Sequence, residues 1–316
     1  MSPSSAVPCV AVEIVHATLT AVGVTAVSLT PLAGDASQRR FFRAVLADGT
    51  TLVAALYPAG HEGQAERDHA VQAWGWERGL PIPRPVGREG LVVVSEDVGD
   101  LDLERAMATT GENALVLALE ALAGFQACEW RSLVTPPFDA AFFRRELAVF
   151  ERYALAPEAA RRPDAAAFLD DLAARLASHP YRLTHRDFHC NNLFLHEGRV
   201  RAVDYQDMRG GPDTYDLASL LGERGGARLA ADEAGWVARA AGRLEWEPGW
   251  PQRYLECAAQ RRLKVIGTFL RLGAAGRPAY LAWLPAVRER AAGALAALGT
   301  APDLVRALVS APHGGL

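Results

Sequence analysis

The sequence predicts an α+β chain in which a small strand-rich part leads into a larger helical one, and three observations carry that expectation. The first hundred residues hold apolar runs broken by turn residues. From about Asp100 onward, alanine- and leucine-rich segments with helical spacing take over. Among these sits an island of short strands and polar residues, LTHRDFHCNNLFLHEGRVRAVDYQD, from Leu183 to Asp207. A chain of 316 residues is long enough for two lobes.

The elements follow in order. AVEIVHATLTAVG has the apolar spacing of a helix, and AVSLTPLA that of a strand. GDASQRR is a turn-prone polar loop. FFRAVLADGTTLVAALY is a hairpin with apolar arms around Asp48 and Gly49, a strong turn pair. EGQAERDHAVQAWGWERG is an amphipathic helix ending at Gly79. PIPRPVG is a stiff connection. LVVVSEDV is a continuous apolar strand, which suggests burial on both faces. Beyond it, LERAMATTGENALVLALEALAGFQAC, AAFFRRELAVFERYAL and DAAAFLDDLAARLASH are helical segments, and a second helical region runs from about Thr214.

Half of the residues are apolar, so a sizeable core can form. The net charge of −4, with no long basic run, argues against nucleic acid as a partner. The N-terminus shows no basic leader. The apolar stretch from Ala11 to Thr30 is interrupted by Glu13, His16 and threonines, so it reads as core helix and strand rather than a membrane span. Cys9, Cys128, Cys190 and Cys257 are scattered without zinc-type spacing. The expectation is a reduced, cytoplasmic, monomeric protein with no membrane partner. Lysine occurs once, at Lys264. A Walker-type phosphate loop, which needs Gly-Lys-Ser/Thr, is excluded.

The island carries the chemistry. His185, Asp187 and Asn192 fit His-x-Asp-x-x-x-x-Asn. LFLH, a Glu197-Gly198-Arg199 turn and VRAVDYQD then form a hairpin pattern that returns Asp204 beside Asn192. Phosphoryl transfer asks for such a set: a carboxylate to orient the attacking hydroxyl and accept its proton, and oxygen donors for magnesium. Asp187 would be the base, Asn192 and Asp204 the ligands, and His185 a scaffold residue. A second reading makes His185, Asp187 and His189 a transition-metal cluster. A third leaves the segment a self-satisfied polar loop.

Several stretches, spread in order over nearly the whole chain, resemble the aminoglycoside phosphotransferase and choline kinase family, relatives of the protein kinases. They are GDASQRRFFR, SEDVGD, THRDFHCNNL, VDYQDMRGGPDTYDLASLL, AAQRRLKVIGTFLRL and YLAWLP. Within that family the chain is similar to the anomeric amino-sugar kinases of cell-wall recycling. The resemblance implies a bilobal protein-kinase-like fold, with a small β-rich nucleotide-binding lobe over 1–98 and a large helical lobe over 99–316 that holds the catalytic loop and acceptor site. It implies an ATP- and magnesium-dependent kinase acting on the anomeric hydroxyl of an N-acetylated amino sugar or related hexose. The alternatives are a kinase for another hydroxylated small molecule, such as an aminoglycoside, and a nucleotide-binding regulatory protein without catalysis.

Carried over by position, Asp187 is the base and Asn192 and Asp204 are the magnesium ligands. SEDVGD matches the connection whose backbone binds adenine, which marks Glu96, Asp97 and Val98. Asp216, near a helix start, supports the catalytic loop. The strand TLVAALY lacks the lysine with which related kinases hold nucleotide phosphates. Arg39, Arg40 and Arg43 are candidates to replace it, because guanidinium binds phosphate bidentately. For the acceptor, the candidates are His189 and Asn191 on the loop, then Gln206, Asp207 and Arg209. Lys264 is expected to pair with Asp207 or with an anionic group of the substrate. Trp130 is a candidate to stack on a sugar ring or to pack in the core.

Overall fold

The structure, a computed structural model, describes residues 9–32, 38–155, 162–222 and 232–310. The GDASQRR loop falls outside the described residues as far as Ser37. The chain forms two compact units, Met1–Leu101 with Phe194–Gln206, and Asp102–Leu193 with Asp207–Leu316.

In the first unit, helix α1 (Cys9–Ala21) precedes strands β1 (Ala26–Leu32), β2 (Arg40–Leu46) and β3 (Thr51–Leu56). Helix α2 (Glu62–Glu77) and strands β4 (Pro85–Glu89) and β5 (Val92–Glu96) follow. The five strands form an antiparallel sheet in the order β1-β2-β3-β5-β4. Side chains alternate across a strand, so Val92 and Val94 join the cluster of Ala11, Val15 and Leu19 from α1 with Phe42, Ala44, Leu52, Ala54 and Leu56. Val93 points the other way, packing with Tyr57 and Ala65 of the α2 side. The uninterrupted apolar run of β5 thus reflects burial on both faces. The β2–β3 turn has Gly49 at φ 84, a conformation glycine adopts without strain. Asp48 Oδ1 accepts from the Thr50 amide at 2.9 Å and the Thr50 hydroxyl at 2.7 Å.

The sequence reading differs here in one place. PIPRPVG is not all connection, since Pro85 to Gly87 open β4. Proline is tolerated because β4 is an edge strand with an irregular register between Pro85 and Gly87.

In the second unit, α3 (Leu103–Thr110) and α4 (Asn113–Ala127) replace the single long helix suggested by 103–128. Gly111, at φ 59, ends α3, and its amide caps Met107. Next come α5 (Ala140–Ala154), α6 (Pro163–Ala177), β6 (Tyr181–Thr184) and a short 3-10 turn (Cys190–Asn192). The hairpin of β7 (Leu193–His196) and β8 (Arg199–Ala202) falls, apart from Leu193, in the first unit. β9 (Arg209–Pro212) pairs antiparallel with β6. The helices α7 (Tyr215–Gly222), α8 (Glu233–Arg243), α9 (Trp250–Ala274), α10 (Leu284–Ala297) and α11 (Pro302–Val309) complete the chain. The β9 strand was not expected, since its Arg-Gly-Gly-Pro sequence has no strand propensity. Gly210 and Gly211 are needed there: a Cβ would stand 2.4 Å from Trp130 and from Phe138 respectively.

Helices α5 and α9 approach closely at Gly267, where a Cβ would lie 2.5 Å from the Phe150 Cα. That contact sets the spacing at which α9 presents Arg261 and Lys264 to Glu146 of α5. No described helix is long and apolar enough to cross a membrane.

Candidate active site

The catalytic-loop segment begins where β6 ends. His185 is fully buried, its ring edge-on to Phe125 and Phe188 at 5.5 and 5.9 Å. The Asp216 carboxylate, buried near the start of α7, accepts the His185 amide at 2.6 Å and the Arg186 amide at 2.9 Å. Arg186 sits at φ 81, a left-handed conformation that costs a non-glycine residue about 1–2 kcal/mol. Asp216 holds it there from below, and Arg261 holds it by donating to the Arg186 carbonyl at 2.6 Å. Burial drives the Asp216 carboxyl up to about 7, with the two amides and Arg261 opposing the shift. One turn later the Asn192 amide nitrogen donates to the Asp187 carbonyl at 2.9 Å. The loop is thereby closed on itself, and Oδ1 of Asn192 remains as an oxygen donor.

Asp187 lies at one end of a chain of ion pairs, all within the second unit. Its Oδ1 is 3.6 Å from Arg261 and 3.9 Å from Lys264, while its side chain stays 29 % exposed. Lys264 pairs more closely with Glu146, at 3.0 Å. Glu146 also meets Arg186 at 3.3 Å and accepts from Gln260 at 3.0 Å. Arg186 in turn donates to Asp207 at 2.5 Å, and Arg209 approaches the same carboxylate at 3.4 Å. Burial alone would raise Asp187, but Lys264, Arg186 and Arg261 outweigh it and hold the carboxyl well below the usual range. The same contest takes Glu146 down to about 2, with Lys264 and Arg186 overcoming burial.

The first unit carries its own polar cluster. Arg39 donates from Nη2 to Asp204 Oδ1 at 2.9 Å, and its Nη1 lies 3.8 Å from Asp68 of α2. Tyr57, at the end of β3, donates to Asp68 at 2.6 Å. Arg39 also lies 5.6 Å from the centre of the Tyr57 ring. Burial disfavours the Arg39 cation, but Tyr57 and Asp204 more than compensate and its pKa is raised. Gln206 donates to Asp204 Oδ1 at 2.6 Å. Arg43 is spent elsewhere: it donates to Asp97 at 2.5 and 3.2 Å and to Asp100 at 3.0 and 2.9 Å. Asp97 also accepts the Gly99 amide at 2.9 Å, so Arg43 fastens the segment after β5. Val98 is buried there, and Glu96 accepts the Arg84 amide at 2.9 Å. Arg40 is exposed.

The structure therefore separates the three arginines that the sequence offered together. It brings Asp187, Asn192, Lys264, Asp207 and Arg209 into one unit with His189, whose Nε2 is 3.4 Å from the Asn192 amide. Asn191 keeps its Oδ1 buried without a hydrogen bond. Lys264 does not pair with Asp207, because Arg186 and Arg209 hold that carboxylate. Trp130 packs on the Gly210 backbone, 6.2 Å from the Tyr181 ring, which makes it a packing residue. Among the described residues, no three His, Cys, Asp or Glu side chains gather as a metal cluster, so the His185–Asp187–His189 alternative has no support in the geometry. Asn192 Oδ1 in the second unit and the second oxygen of Asp204 in the first are each a hard donor of the kind magnesium takes. Sequence reasoning missed Glu146, Arg186, Arg261, Tyr57 and Asp68. A lone glutamate inside FFRRELAVF carries no signal, although the run of Arg261, Arg262 and the single lysine could have drawn attention to that helix face.

The fold, a five-stranded antiparallel sheet unit and a helical unit holding the His-x-Asp loop, is that of the kinase-like phosphotransferases. An aminoglycoside phosphotransferase from Streptomyces rimosus, solved with ADP and streptomycin, superimposes with a TM-score of 0.58 at 18% identity, over 82% of this chain and 99% of that one. A choline/ethanolamine kinase family protein from Mesorhizobium loti gives 0.63 at 20% identity, over 95% and 97%. The chain belongs to the phosphotransferase enzyme family (APH), which matches residues 28–255. It is 32% identical over 270 residues to the N-acetylmuramate/N-acetylglucosamine kinase of Neisseria meningitidis serogroup B, covering 77% of this chain and 78% of that protein. It is 28% identical to the enzyme of the same name from Pseudomonas aeruginosa, covering 90% and 89%.

Proposed function

We propose that this phosphotransferase transfers the γ-phosphoryl group of ATP, with magnesium, to the anomeric hydroxyl of an N-acetylated amino sugar, N-acetylglucosamine or N-acetylmuramate. The observation that carries the kinase chemistry is the state of Asp187. It is a partly exposed carboxylate kept ionised by Lys264 and Arg261, on a loop locked by Asp216 and Asn192. So weak a base does not strip a sugar hydroxyl in the ground state. It orients the hydroxyl for in-line attack and takes its proton late, as a loose phosphoryl-transfer transition state allows. The names of the relatives support an amino sugar as the acceptor.

The remaining roles follow from the same reading. Asn192 and Asp204 are the residues that would offer oxygens to magnesium, whose charge would offset that of the nucleotide phosphates. Arg39, rather than Arg40 or Arg43, replaces the missing strand lysine, since it alone of the three reaches the acidic pair Asp68 and Asp204. Glu96, Asp97 and Val98 form the adenine-binding connection, with Arg43 as its fastening. His189, Asn191, Asp207 and Arg209 serve the acceptor. Gln206 steadies Asp204, and Lys264 steadies Asp187. Release of ADP should be followed over a panel of N-acetylglucosamine, N-acetylmuramate, unmodified hexoses and aminoglycosides. Turnover confined to the aminoglycosides would sink the amino-sugar reading.

A further inference from the structure

Three guanidinium groups crowd one half-buried aromatic ring in the second unit. Arg145 of α5 lies 5.4 Å from the centre of the Phe142 ring, Arg186 of the catalytic loop 5.5 Å and Arg209 of β9 4.7 Å. Like charges gathered this way repel one another, and fixed carboxylates offset only part of that repulsion. Glu146 is matched by Lys264, Asp187 by Arg261 and Asp207 by Arg186. Arg145 makes no ion pair among the described residues. Arg209 donates from Nε to the Asp207 carbonyl at 3.0 Å, and its guanidinium reaches the Asp207 carboxylate at 3.4 Å, farther than the 2.5 Å of Arg186 on the same carboxylate. Burial first and then the neighbouring Arg186 lower the Arg209 pKa, and Asp207 and Glu146 offset that only in part. The patch joins the Asp187 carboxylate through the continuous pairs of Lys264, Glu146 and Arg186.

We infer that Arg145 and Arg209, backed by Arg186 and presented around Phe142, form a subsite for a carboxylate on the acceptor, and that this subsite sets the preference for an anionic over a neutral amino sugar. The inference rests on the amino-sugar reading above and deepens it. A muramate carries a lactyl carboxylate where a glucosamine has a plain hydroxyl. A planar guanidinium matches a carboxylate with two parallel hydrogen bonds. A neutral sugar gains nothing from the excess charge.

The test uses the full chain and an ADP-release assay with N-acetylmuramate and N-acetylglucosamine side by side. Arg145→Glu and Arg209→Met are each expected to lower the ratio of kcat/KM for muramate over glucosamine by about 10-fold or more, the size of one charge-assisted hydrogen bond. Arg209→Lys should restore part of it. In the wild type, sodium chloride should depress kcat/KM for the muramate more steeply than for the glucosamine, a response that a purely structural arginine would not give. Arg145 is exposed on a helix surface, so its replacement should leave the melting temperature in place. A ratio unchanged in Arg145→Glu and Arg209→Met overturns the subsite while leaving the amino-sugar reading intact. So does a wild type that phosphorylates glucosamine and refuses muramate. A wild type that phosphorylates neither sugar removes that reading, and the subsite with it.

Discussion

Arg39 and Asp204 stand 165 residues apart in sequence and share a hydrogen bond of 2.9 Å. Of the three clustered arginines it is Arg39 that reaches the aspartate proposed as a metal ligand, while Arg43 pairs with Asp97 and Asp100. Tyr57 and Asp68 flank the same Arg39 guanidinium, which leaves the chain just before β2.

Replacing Arg39 by alanine should therefore lower kcat/KM for ATP by about 10- to 1000-fold, which corresponds to about 1.4–4 kcal/mol of lost transition-state stabilisation. Lysine there should rescue only in part, because it cannot fork to two oxygens. Arg43→Ala should instead lower the melting temperature, since it leaves the buried Asp97 without its main cation. Steady-state kinetics with calorimetry on both variants separates these outcomes. ATP kinetics intact in Arg39→Ala would return the phosphate charge to magnesium and backbone amides.

Asp187→Asn should keep nucleotide binding within a few-fold and cut turnover by roughly 100-fold or more. Rapid-quench measurement of phosphoryl transfer reports the chemical step directly. Near-full turnover in this variant removes Asp187 from the mechanism.

Asp204→Ala should weaken divalent-cation-dependent nucleotide binding, because a hard oxygen donor is lost. Titration of a fluorescent nucleotide at rising magnesium gives the comparison. An affinity that stays equally metal-dependent would contradict the assignment.

Asp216→Ala should lower stability by about 2–5 kcal/mol, since it leaves the amides of buried His185 and the adjacent Arg186 without their acceptor. Turnover should fall with it as the loop loses its left-handed bend at Arg186. Urea unfolding gives the first quantity. A loss under about 1 kcal/mol means that these amides find another partner.

The pH dependence of stability should carry a signature of Glu146. Its carboxyl is taken from 4.5 down to about 2 in the folded chain. A depressed pKa contributes stability above the unfolded value, and that contribution is lost as the pH falls from about 4.5 through about 2. Glu146→Gln should be less stable than the wild type at pH 6, and the difference should narrow by pH 3. Parallel urea midpoints at the two pH values would show that Glu146 is not held ionised by Lys264 and Arg186.

The candidate residues of the site were legible in the chain itself. The spacing of Asp187 and Asn192, the hairpin after them and the position of Asp204 follow from local sequence, because turns and short strands are written in neighbouring residues. The continuous apolar run of β5, the Asp48–Gly49 turn and the α1 stripe are local in the same way. The single lysine and the strand without one were also readable, and they posed the question of what binds phosphate.

Only the tertiary structure decided which carboxylates each cation meets. Arg39, Arg40 and Arg43 are near neighbours in sequence, yet they separate into an acidic site, solvent and a clamp on the segment after β5. Their directions depend on β2 pairing and on which carboxylates approach from α2 and from the residues after β5. The partners of Lys264 were equally hidden. Glu146 lies 118 positions away on a helix that crosses α9 at Gly267, and the sequence offered Asp207 as readily. Long-range ion pairs and the crowding of guanidinium groups at Phe142 depend on how helices and strands pack, and no local periodicity records that.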